Sequence, residues 1–121
     1  MELTPCLWLG GRCHDAFETY AKVLGGNVVF EMPYADAPDR VQFARLEAGA
    51  LVLHGMDAHP TDIEVQGMAI MLALDSPDEA ERVFAELMAD GTITAPMGPS
   101  PFAERFGMGT DGFGVPWMIS G

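Results

Sequence analysis

Few side chains in this sequence have the chemistry of a functional site. His54 closes the apolar stretch ALVLH, where a neutral imidazole can act as a base or as a hydrogen-bond donor. One polar group does not make a catalytic constellation, so a strand histidine bonded to a neighbour is the alternative. Arg45, within VQFARLE, offers a planar fork that can anchor a carboxylate through two parallel hydrogen bonds. It can equally be a solvated strand arginine paired with one of the many acids. Cys13 stands at the expected start of a helix, where the dipole lowers a thiol pKa and favours a nucleophile. Its neighbour His14 points elsewhere on such a helix, which favours a small residue of the capping region instead. Cys6 and Cys13 are too few for a disulfide framework, and their spacing is neither that of a metal knuckle nor that of a CxxC redox pair.

The bulk properties narrow the partners. A chain of 121 residues fits one ordinary domain. With 49% hydrophobic and 20% charged residues it builds a core and is not disordered. Six Lys and Arg against eighteen Asp and Glu give a net charge of −12, which repels phosphate backbones and anionic headgroups. Nucleic acid and membrane surfaces are therefore excluded as expected partners, and highly anionic substrates are disfavoured unless a local arginine reverses the field. The opening MELTPCLWLGG has no basic region and no apolar run of signal-peptide length, and the run Met68 to Leu74 is too short for a bilayer. The expected setting is the reducing cytoplasm.

The elements that must hold these residues can be read in order. Leu3 to Leu9 reads as a strand closed by Gly10-Gly11. Ala16, Phe17, Tyr20, Val23 and Leu24 recur at helical spacing over 13–24, and Gly25-Gly26 supplies the stop. Asn27 to Met32, Val41 to Glu47 and Ala50 to Gly55 read as strands, with a proline-containing loop over 33–40. Residues 57–66 look like a linker. Met68 to Leu74 is then a strand, and Ser76 caps a helix over 77–89 with Pro77 at its first position. Thr92 to Pro96 reads as a strand, Met97 to Pro101 as a Gly/Pro-rich loop, and Phe106 to Thr110 and Val115 to Ser120 as a hairpin turning at Asp111-Gly112.

The order strand, helix, three strands thus occurs twice. A shift of 64 residues lays CHDAFETY on PDEAERVF and carries the flanking strands with it. The expected fold is α+β, with two βαβββ modules (1–56 and 67–121) in a single domain. The sheets join edge to edge as a curved, cup-shaped mixed sheet with the helices outside and a small-molecule cavity within. Strand alternation turns His54 into that cup. Phe102, in the loop 97–105, is placed to close over it as a lid. The methionines, among them Met68, Met71, Met108 and Met118, suit an adaptable apolar lining or ordinary core. The acids of the two helices, with His14 and His59, read as solvated surface.

The stretches PCLWLGGRCHDAF (5–17), YAKVLGG (20–26) and FGMGTDGFGVPWMI (106–119) resemble the PhnB-like branch of the vicinal oxygen chelate superfamily, which includes glyoxalases, bleomycin-resistance proteins and extradiol dioxygenases. The resemblance covers nearly the whole chain and implies the same cup, a homodimer and a small-molecule ligand. Members are often described as demethylubiquinone methyltransferases, but the chain shows no Gly-rich strand-to-helix nucleotide turn. Superfamily metal ligands fall, by this resemblance, on Pro5, His54, Ala69 and Met118. Only His54 suits a hard or borderline divalent ion, against about three ligands needed, so no metal or other cofactor is expected. Where relatives show H-A-E, this chain has Phe43-Ala44-Arg45, which removes a histidine and a glutamate.

The expected function is binding of a small apolar or mildly anionic molecule by Phe43, Arg45, His54, Phe102 and Met118, with His54 the candidate acid/base. The alternatives are a divalent-metal lyase, isomerase or dioxygenase of the same superfamily, and a sequestration protein that binds without turnover.

Overall fold

Glycine pairs on either side of CHDAFETYAKVL delimit the first helix, α1 (Cys13–Leu24), which ends on Gly25 in the left-handed conformation at φ 68°. Its apolar stripe of Ala16, Phe17, Tyr20 and Val23 is buried. The stripe packs on a sheet of β1 (Cys6–Trp8), β2 (Asn27–Pro33), β3 (Val41–Ala48) and β4 (Leu51–Met56), in the order β1-β4-β3-β2 with β1 parallel to β4. Leu7, Ala44, Leu46 and Leu53 point at the helix and complete this core. Gly55 lies so close to α1 that a Cβ there would stand 2.6 Å from Phe17.

The computed structural model describes residues 1–58 and 67–121, in two compact units, Met1–Ile63 and Glu64–Gly121. His59 and most of the expected linker lie outside the described residues. Asp57, assigned to that linker, is buried and structural. Its Oδ1 accepts from the N–H groups of Gly11 (2.8 Å) and Cys13 (3.0 Å), and its Oδ2 from Val41 (2.8 Å). The N-cap Arg12 makes no side-chain cap, so Asp57 supplies from the end of β4 the carboxylate that the start of α1 needs.

The second unit repeats the plan with β5 (Ile70–Ala73), α2 (Pro77–Leu87), β6 (Thr92–Ser100), β7 (Ala103–Thr110) and β8 (Pro116–Ser120), in the order β5-β8-β7-β6. Ser76 caps α2 by accepting from Glu79 N–H at 3.1 Å. The expected loop over 97–105 is corrected: the chain there is a hairpin. β6 continues through Pro96 and Pro99 because it is an edge strand, where a missing N–H need not interrupt a ladder, and its register shifts absorb the prolines. Only Pro101 and Phe102 turn, pinned by Ser100 Oγ accepting from Ala103 N–H at 3.0 Å. At the β7–β8 turn, buried Asp111 accepts from Phe113 and Val115 N–H and from Trp117 Nε1.

Both units are therefore βαβββ repeats, each a four-stranded mixed sheet with a helix on one face and the other face open. Their pairing shows that the shift is not uniform. Cys13 and Pro77, like Gly55 and Ile119, lie 64 residues apart. Leu7 and Leu72, their partners in the first strands, are 65 apart, whereas Ala44 and Gly107 are 63 apart. A rigid shift of 64 thus misplaces the first strand by one residue, which in a strand changes the face.

Candidate functional site

The open face of the first sheet carries a row of side chains across all four strands. Phe30 on β2 is the register partner of Arg45 on β3, Arg45 of His54 on β4, and His54 of Cys6 on β1. Alternation places them there because Ala44, Leu46, Leu53 and Leu7 take the helix side. Phe43 lies on the same open face, two residues from Arg45. Its ring meets the His54 imidazole edge to face at 4.7 Å and that of Phe30 at 6.0 Å.

The polar contacts within the row fix its chemistry. Arg45 Nη1 lies 3.1 Å from His54 Nε2, and Arg45 Nε donates to Glu47 Oε2 at 2.8 Å. A guanidinium only donates, so His54 Nε2 is the acceptor and the neutral ring carries its hydrogen on Nδ1. In this arrangement His54 offers a donor and no free lone pair. Of the five N–H groups of Arg45, Nε and one on Nη1 are engaged among the described residues, which leaves one on Nη1 and both on Nη2 to donate. Around this centre Trp8, Phe30 and Met32 are 51%, 48% and 41% exposed, an unusual amount of apolar surface for one sheet face.

In the second unit the equivalent row is apolar: Met71 pairs with Met118, Met118 with Met108, and Met108 with Ala95. Phe106 takes the place of Phe43. Phe102, on the hairpin turn and well exposed, packs edge-on against Phe106 at 4.8 Å. The structure therefore gathers Phe43, Arg45 and His54 in one unit, and it sets Met118 among methionines and Phe102 against Phe106 in the other.

The residue beside His54 is Cys6, not Pro5, and the one beside Met118 is Met71, not Ala69. Pro5 contributes only its carbonyl, which accepts from His54 N–H at 2.9 Å. These side chains do not fit a hard divalent ion. His54 Nε2 already faces the Arg45 cation, partial desolvation raises the thiol pKa of the exposed Cys6, and Met71 and Met118 are soft thioethers. Among the described residues, the His14, Asp15 and Glu18 donor atoms lie within 4.8 Å of one another, but on the exposed surface of α1. His14 Nδ1 is 2.8 Å from Glu31 Oε1, and this hydrogen bond raises the His14 pKa above its usual 6.5.

Cys13 is not an activated thiol. Burial against α1's own sheet, then the charges of Asp57 and Glu31, push its pKa up to about 12, which overrides the helix dipole. Glu47 and Cys6 escaped the sequence reading. The two-residue spacing from Arg45 to Glu47 within one strand was the available signal for the first. Nothing short of the register reveals the second.

The description of the glyoxalase/bleomycin resistance protein/dioxygenase superfamily matches residues 5–119. The chain belongs to this superfamily. It is 30% identical to Protein YjdN of Escherichia coli K12, over 99% of this chain and 95% of that protein. The crystal structure of protein PA1353 from Pseudomonas aeruginosa is 37% identical with a TM-score of 0.92, covering 99% and 96% of the two chains. A PhnB protein from Bacillus cereus shares the fold at 23% identity and a TM-score of 0.87, covering 99% and 98%. The two βαβββ units are those of the glyoxalase-superfamily fold.

Proposed function

We propose that this glyoxalase-superfamily chain binds a small, largely apolar molecule on the open face of its first sheet, without a divalent metal and without turnover. The observation that carries the reading is the row Phe30, Arg45, His54 and Cys6, with Phe43 beside it: two polar donors set in exposed aromatic and methionine surface. Phe43 stacks on the ligand's apolar part while Arg45 and the His54 Nδ1–H orient its acceptor group. Binding is favoured over acid/base chemistry because His54 Nε2, the atom that would take a proton, is engaged by Arg45. The homodimer that the resemblance implies and the cytoplasmic setting expected from the sequence are kept in this proposal.

The test uses Trp8 as reporter, since it is exposed on this face while Trp117 is buried. Titration with small neutral aromatic molecules such as benzamide is expected to change Trp8 emission saturably, and the molecule is recovered unchanged. Protein purified without chelator is expected to hold less than stoichiometric zinc, iron, nickel or manganese. Stoichiometric metal that survives dialysis, or conversion of a bound molecule, returns the chain to the enzymatic alternatives.

A further inference from the structure

We propose that Glu47 is the residue that sets which ligands this face accepts: it restricts the Arg45 fork to flat monocarboxylates and excludes dianions. The inference rests on the reading of the face as a small-molecule site and goes on to name the class of molecule.

Three observations carry it. First, Glu47 holds the Nε side of Arg45 at 2.8 Å, and its carboxylate offsets one positive charge. Among the described residues the pair leaves Nη1 and Nη2 each with an N–H to donate, an outer fork close to neutral in net field. A single carboxylate meets that fork with two parallel hydrogen bonds. A second negative charge meets Glu47 instead, inside a chain of net charge −12. Second, the contact to His54 Nε2 holds the guanidinium from the other side, so its plane is fixed between β3 and β4. The fork is therefore pre-organised, and binding does not have to order it. Third, Phe43 borders the same centre, with its ring edge-to-face on His54 and near Phe30. An acid whose carboxylate is attached directly to a planar apolar body places that body over these rings when the carboxylate is seated.

The experiment compares benzoate, benzamide and phthalate by Trp8 emission and by chemical-shift titration, on the full chain and on Glu47→Gln and Arg45→Lys. In the native protein benzoate is expected to bind more tightly than benzamide by about tenfold, the worth of charge-assisted contacts, and phthalate more weakly than benzoate. Glu47→Gln should tighten benzoate by about three- to tenfold and phthalate by more, with the gain shrinking in high salt because the pair is solvent-accessible. Arg45→Lys keeps the charge and loses the fork, so it should cost benzoate most of its advantage over benzamide. Unchanged Trp117 emission shows that a variant has folded. If benzamide binds but benzoate has no advantage, or if Glu47→Gln weakens benzoate, the assignment of Glu47 is overturned while the site stands. If no probe reaches Trp8, the site itself is overturned. Should Glu47→Gln fail to fold, the native comparison decides the assignment: phthalate binding as tightly as benzoate overturns it.

Discussion

The two thiols show how much a residue's behaviour depends on what surrounds it. Cys13 is fully enclosed between α1 and β4, and Cys6 lies exposed at the edge of the first sheet. Alkylation of the folded protein at pH 8 is expected to modify Cys6 and to leave Cys13 intact until the chain is unfolded, as peptide mass spectrometry will show. The raised Cys13 pKa also has a signed consequence. A group that holds its proton more tightly when folded stabilises the native state below its ordinary pKa of 9.0, and that contribution disappears as pH rises toward about 12. Denaturant midpoints should therefore fall above pH 9, and Cys13→Ala should flatten the fall. Residue type was enough to single out Arg45 and His54 as chemically interesting. It did not show that they are bonded to each other, because that depends on the register of β3 against β4. Nor did it foresee the Cys13 environment, since Asp57 is distant in sequence and looked like part of a linker.

At the scale of elements, helices and strands were largely legible, because α1 and α2 carry their apolar stripes and stop signals in plain view. The misreadings share one cause: a local cue outweighed by a tertiary one. Pro96 and Pro99 suggested a loop, but on an edge strand they are harmless. The resemblance laid two positions on Pro5 and Ala69, whereas the register partners of His54 and Met118 are Cys6 and Met71. Asp57 joins three elements through one carboxylate, reaching the turn before α1, its first residue and the first residue of β3. Asp57→Asn keeps the shape but turns an amide nitrogen or a weaker acceptor toward buried N–H groups. It should destabilise the chain by roughly 2–4 kcal/mol in chemical denaturation. An equal substitution at exposed Asp15 should have almost no effect.

For the molecule as a whole, the charge is as informative as the fold. A net charge of −12 on 121 residues sets like charges against each other across the surface, and salt screens that repulsion. Raising sodium chloride from about 20 to about 200 mM should raise the melting temperature by a few degrees, read by circular dichroism. A fall would mean that attractive pairs such as Arg82–Glu86 and Arg105–Glu81 outweigh the repulsion. No helix among the described residues is long and apolar enough to cross a membrane. The fold class and family were readable because motifs span almost the entire length. The ligand was not, because its contacts come from alternate residues of separate strands.

Each sheet has one side on which there is no spare room. An added methyl at Gly55 would collide with Phe17, and one at Gly107 would stand 2.9 Å from Phe84. The opposite sides hold a charged, hydrogen-bonded row in one copy and a methionine row in the other, on the same backbone. Sequence drift is thus steered to a single surface of each sheet, so descendants of one ancestor can change what they recognise while inheriting an unaltered scaffold.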